Sequence, residues 1–177
     1  VALVLLLRGV NVGGHRTFRP TTLVRRLKHL DPVNIGAAGT FVFRKRVGQA
    51  RLRREVARLL PFETQMMLVE GRALARLVAD TRFADHAARP DIVRFVSVLA
   101  RRPRRVPALP LSLPPSGPWL LRVIARHGRF VVGEYRRQMK AIGHVGSLDR
   151  QFGVPVTTRN WHTMVAIAKL LASPAAP

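Results

Sequence analysis

Two polar segments hold the residue types most suited to binding chemistry. The first is Arg8-Gly9-Val10-Asn11-Val12-Gly13-Gly14-His15-Arg16. A glycine-rich turn between a strand and a helix can aim several backbone N–H groups at one spot, and glycine lets an anion approach closely. Arg8, Asn11, His15 and Arg16 would add side-chain donors to a phosphate or carboxylate. The spacing is neither that of a phosphate-binding P-loop nor that of the dinucleotide fingerprint. Gly9, Gly13 and Gly14 therefore equally suit a tight turn that needs positive φ. The second segment is Thr157-Thr158-Arg159-Asn160-Trp161-His162-Thr163. Thr158 or Asn160 suits a helix N-cap. Arg159 beside Trp161 suits a clamp that holds a phosphate and covers a flat ring. The plainer alternative makes Trp161 the start of an apolar core stripe, with Arg159 in a salt bridge. If the two segments meet, Arg8 to Arg16 and Thr158, Arg159 and Asn160 form one basic pocket with a helix N-terminus aimed into it.

Other chemistries are poorly supplied. The chain has no cysteine, which excludes disulfide frameworks, thiolate metal sites and cysteine nucleophiles together. The six histidines, His86 among them, show no paired ligand spacing, and the nine acids, Asp85 among them, include no close pair. No metal site and no cofactor are expected, and no catalytic residue is assigned. His15 and His162 would serve as acid or base only if brought together. Phe41 and Phe43 share one strand face, as in RNA-stacking sheets, but the first strand offers no aromatic partner, so both are expected in the core.

The charge points outward. Among 177 residues, 31 are lysine or arginine and 9 are aspartate or glutamate, a formal charge of +22. Such a surface attracts polyanions and repels its own copies. An anionic ligand or nucleic acid is the partner this favours. Only Lys28, Lys45, Lys140 and Lys169 are lysines, and arginine matches phosphate with a planar fork. An arginine-favouring codon composition explains the same excess, and the spread of arginines along the whole chain favours that reading. The apolar run Val1–Leu7 is far short of the roughly 20 residues of a membrane span and lacks the flanks of a signal peptide. No membrane is expected as partner, and a cytoplasmic location is. The oligomeric state is left open.

The elements that must position these residues follow from periodicity. Val1–Arg8 reads as a central strand covered on both faces. A helix after Pro20 carries Leu23, Leu27 and Leu30 on one face, stopped by Asp31-Pro32. Val33–Ile35 and Thr40–Phe43 are short strands, Gln49–Leu60 is an amphipathic helix, and Gln65–Glu70 is a strand. This βαββαβ order is that of ferredoxin-like folds. Beyond it, Arg72–Val78 reads as helix and Ile92–Ala100 as strand. Leu120–Arg126 and Phe130–Glu134 form a hairpin, and a last helix starts near Asn160. The expected fold is α+β: a ferredoxin-like subdomain over 1–70, then a second, smaller α+β subdomain over 71–172. The latter contains a proline-rich extended connector at 101–118, and 173–177 is a frayed tail.

The opening Leu6-Leu7-Arg8-Gly9-Val10-Asn11-Val12-Gly13-Gly14 resembles the LLRGINVGG motif of a bacterial family, domain of unknown function 1697. The closing Thr157–Thr163 is similar to its TTRNWNT motif. The resemblance extends over nearly the whole chain and implies an α+β protein with a ferredoxin-like N-terminal part, but no activity. Three departures stand out: His15-Arg16 where the family has lysine and asparagine, Ala38-Gly39-Thr40 where it has serine-glycine-asparagine, and His162 in place of asparagine. Thr40 would supply the one hydroxyl left at that strand.

The functional expectation is a basic anion-binding protein, for a phosphate of nucleic acid or of a polyphosphate, using 8–16 and 157–163. One alternative is an enzyme for a small phosphorylated or carboxylated substrate, with Arg8 and Arg159 as clamps and His15 as proton carrier. Another is that both motifs are structural and join the two subdomains.

Overall fold

The computed structural model describes residues 1–80 and 89–173. Asp85, His86 and positions 174–177 of the expected tail lie outside the described residues. The chain divides into two compact units, Val1–Ala79 with Val165–Pro177, and Asp80–Met164. The helix after Glu70 belongs to the first of these units.

In the first unit, strands β1 (Leu3–Leu7), β2 (Pro32–Asn34), β3 (Thr40–Phe43) and β4 (Met66–Glu70) form an antiparallel sheet in the order β2-β3-β1-β4. β1 is central and buried along its whole length, as an uninterrupted apolar run requires. Helices α1 (Pro20–Arg26) and α2 (Gln49–Leu59) lie against the face carrying Leu3, Leu5 and Leu7. The α1 stripe continues into a 3-10 turn, Lys28–Leu30, so that Leu23, Leu27 and Leu30 are all buried. Each such side chain removed from water contributes about 1.5–3 kcal/mol. Phe41 and Phe43 are fully buried in the same core and offer no face to a nucleobase. Helix α3 (Gly71–Ala79) follows β4 directly. A Cβ on Gly71 would stand 2.9 Å from Leu171, so the last helix packs on this glycine.

In the second unit, β5 (Ile92–Leu99), β6 (Leu111–Leu113), β7 (Leu121–His127), β8 (Phe130–Arg136) and β9 (Val156–Asn160) form an antiparallel sheet in the order β6-β7-β8-β5-β9. Helices α4 (Met139–Gly146) and α5 (Leu148–Phe152) precede β9; α6 (Trp161–Ala172) follows it and from Val165 onward belongs to the first unit. The core gathers Phe95, Leu99, Leu121, Val123, Val131, Leu148 and Phe152. Gly133 is required here, because a Cβ would meet the Phe95 ring at 2.6 Å and the Arg122 carbonyl oxygen at 2.5 Å.

Four elements have no sequence counterpart, the short helix α5 among them. β9 is a polar Thr-Thr-Arg-Asn run with no alternation, and pairing with β5 makes it a strand. α4 buries only Ala141 while Met139 and Ile142 are exposed, so its apolar residues trace no stripe. The proline-rich stretch contains β6, which is an edge strand, the one sheet position proline tolerates nearby. Among the described residues, no helix is long and apolar enough to cross a membrane.

Candidate functional site

The opening loop is fastened at both ends. At the end of β1 the Arg8 N–H donates to the Gln65 carbonyl at 3.0 Å, and the Thr64 hydroxyl donates to the Arg8 carbonyl at 2.5 Å. At the far end Phe18 packs on Phe41 and Phe62, with ring centroids 6.3 and 6.1 Å apart. Asn11 ties the middle: its amide donates to the Ala37 carbonyl and its oxygen accepts from the Phe18 N–H, both at 2.9 Å. Between these anchors Val12 and His15 form a bridge across Gly13-Gly14, at φ +57° and +76°. Two successive positive φ values make the tight turn that glycine alone enters without strain. Gly9 is likewise at φ +63°. The glycines thus serve the turn, His15 stands exposed at its tip, and Asn11 spends both ends of its amide on the loop.

Arg8 and Arg16 line one hollow of about 540 Å³ together with Glu63, Thr64 and Gln65. The Arg8 guanidinium donates to the Gln65 side-chain oxygen at 2.9 Å, which holds it at the rim. The Arg16 guanidinium lies 4.0 Å from where a Cβ on Gly9 would stand, an ordinary contact, so the positive φ rather than space calls for glycine there. Neither Thr64 nor Gln65 stands out in the sequence. The signal is in the register: Leu7 pairs with Met66 across β1 and β4, which brings the residue before Met66 to Arg8. Thr40 is fully buried in β3, so its hydroxyl is not presented to any ligand. The hollow is lined by two arginines and one carboxylate, a modest positive potential.

The closing segment belongs to the second unit and is spent on structure. Arg159 is 8% exposed, and its Nη1 donates to the Thr157 hydroxyl at 2.8 Å and the Thr158 carbonyl at 2.9 Å. Burial pushes the guanidinium down to about 10, because removal from water penalises its charged form. Thr158 shares a 2.6 Å hydrogen bond with Ser97, its cross-strand partner. Asn160 caps α6, its side-chain oxygen accepting the Thr163 N–H and hydroxyl at 2.9 Å each. The Trp161 ring is covered by the Arg94 guanidinium, 5.6 Å from its centroid. The Trp119 ring is covered by the Arg122 and Arg136 guanidinium groups, 4.5 and 4.4 Å from its centroid. Arg122 is itself ion-paired with the buried Glu134. Among the described residues, no three metal-ligating side chains gather.

The first 112 residues match the model of a family described as Protein of unknown function (DUF1697). The chain belongs to that family. The DUF1697 match includes the opening turn and its hollow and stops short of 157–163. The chain is similar in structure to the conserved bacterial protein SP0830 from Streptococcus pneumoniae, with a TM-score of 0.62 at 14% identity. The likeness covers 96% of this chain and 98% of that one; at this identity it speaks for the shared α+β fold alone. No curated protein matches the sequence.

Proposed function

We propose that this DUF1697 protein binds a phosphate-bearing anion, of nucleic acid or of a polyphosphate, at the hollow beside its opening turn. The observation that carries the reading is that Arg8 and Arg16 line one concavity with the hydroxyl of Thr64 and the amide of Gln65. Two guanidinium forks and the side-chain N–H2 of Gln65 together suit a tetrahedral oxyanion, the Thr64 hydroxyl proton being spent on the Arg8 carbonyl. The net charge of +22 would raise the encounter rate with any polyanion. The first unit is taken as ferredoxin-like within this proposal, on the strand order β2-β3-β1-β4 with both core helices on one face. A cytoplasmic location goes with it.

The test is fluorescence anisotropy with a labelled single-stranded oligonucleotide across a salt series, for the native chain and for Arg8→Gln/Arg16→Gln. The native chain is expected to bind with Kd of about 10⁻⁴ to 10⁻⁶ M near physiological salt, weakening steeply as salt rises. The double variant is expected to lose affinity about tenfold. Affinity indifferent to salt, or to the double substitution, rejects the reading. For 157–163 the structural alternative is favoured, because Arg159 is buried and bonded to its own strand.

A further inference from the structure

The geometry points to a second anion site, wholly within the second unit and independent of the hollow at the opening turn. We infer that it takes a compact oligophosphate, a linear anion of three or so linked phosphates. The site follows from the pairing of β5 with β9. Leu99 pairs with Val156 at the end of that ladder, and the Ala100 N–H then donates to the Pro155 carbonyl at 2.9 Å. Chain leaving β5 is thereby laid beside chain entering β9. What leaves β5 is Arg101-Arg102-Pro103-Arg104-Arg105, and what enters β9 is the end of α5 with the turn after it, from Arg150 to Val154.

Together they enclose a cavity of about 540 Å³ lined by Arg101, Arg104, Arg105 and Arg150, with Phe152 and Val154 among the other walls. That volume lies in the range of small-ligand pockets. No carboxylate is among its lining residues. Among the described residues, none of the four guanidinium groups is held in a side-chain hydrogen bond or ion pair. This sets them apart from Arg44, Arg51, Arg72, Arg89 and Arg122, each paired with an acid. Four like charges around one concavity repel until a counter-charge enters, and the apolar walls of Phe152 and Val154 weaken solvent screening.

The chemistry of the walls selects the occupant. Guanidinium forks match phosphate oxygens two by two, and four of them call for several linked phosphates rather than one. Phe152 is 3% exposed, so no ring face is offered for a base to stack on, as single-strand binders require. The occupant is thus read by its phosphate chain alone.

The experiment is calorimetric titration of the full chain with sodium tripolyphosphate and with orthophosphate at about 0.15 M salt, where unspecific surface attraction is damped. Arg104→Gln/Arg150→Gln removes two of the four charges; Arg54→Gln/Arg58→Gln removes two exposed charges from α2 and serves as the matched control. All three proteins are checked by melting temperature, which should not shift, since among the described residues the replaced side chains form no hydrogen bond or ion pair. Tripolyphosphate is expected to bind at least about tenfold more tightly than orthophosphate, and to lose about tenfold in the first variant and less than about twofold in the control. Equal losses in the two variants would assign the binding to bulk charge and overturn the site. Displacement of tripolyphosphate by a twenty-residue oligothymidylate at lower concentration than by nucleoside-free polyphosphate would overturn the compact ligand in favour of a nucleic-acid backbone.

Discussion

The Asn11 side-chain oxygen accepts the backbone N–H of Phe18 at 2.9 Å, closing the opening loop seven residues from where it begins to turn. Asn11 does this at φ +53°, a left-handed conformation that asparagine enters more readily than most residues. Asn11→Ala removes this bond and the one to Ala37, and keeps the strained backbone. A loss of about 2–3 kcal/mol in urea unfolding is expected. Asn11→Gly relieves the strain but not the lost bonds and should recover about 1 kcal/mol of it.

Gly39 lets β3 begin hard against the same loop. A Cβ there would stand 2.5 Å from Val10 and 2.8 Å from Leu7, and the residue is at φ +74°. Its carbonyl also accepts the Leu7 N–H at 2.8 Å, so the backbone has no room to retreat. Gly39→Ala is expected to lower stability by about 3 kcal/mol, read from the denaturation midpoint.

Arg159→Ala should lower stability by about 3 kcal/mol, through an opened cavity and the abandoned Thr157 hydroxyl and Thr158 carbonyl. Arg159→Met fills the space without a buried charge and should lie within about 1 kcal/mol of the native chain. The guanidinium's pKa is depressed to about 10, well below its value in the unfolded chain. Between those values the unfolded chain holds more protons, so this residue's contribution grows more favourable as pH rises. The native chain should therefore gain on Arg159→Met between pH 9.5 and about 11. Polyanion binding should be unchanged by either substitution.

Glu55 is held below its usual value of 4.5, chiefly by the hydrogen bond from Arg51 at 2.6 Å and also by His29 at 3.1 Å. A depressed carboxylate contributes above its unfolded pKa and loses that contribution as pH falls through its folded one. Glu55→Gln should cost about 0.5 kcal/mol at pH 7, the scale of an exposed pair one helical turn apart. The difference should shrink as pH falls below 4.5 and through the depressed folded value, as thermal melts across an acid series would show.

Glu63 faces Arg8 and Arg16 in the first hollow and opposes any anion there. Glu63→Gln should tighten oligonucleotide binding about threefold to tenfold at low salt, with the gain shrinking as salt is added. No change at low salt would place the bound anion away from this hollow.

Sequence alone determined the elements whose burial is written in their own period. The apolar run of β1, the Leu23-Leu27-Leu30 stripe and the Leu52-Val56 stripe each meet a core wherever the chain goes, because a continuous or periodic apolar face has no other stable place. Tertiary structure alone decided the rest. The polar run of β9 is a strand only because β5 supplies its hydrogen bonds. Arg159 is buried on β9, the edge strand of that sheet, where its guanidinium turns to the Thr157 hydroxyl and the Thr158 carbonyl of its own strand. Arg101, Arg104, Arg105 and Arg150, read along the chain as scattered charge, line one cavity because antiparallel pairing sets the end of one strand beside the start of another. Charge spacing along a chain carries no record of such pairing, since the partner strand is chosen by backbone hydrogen bonds more than fifty residues away.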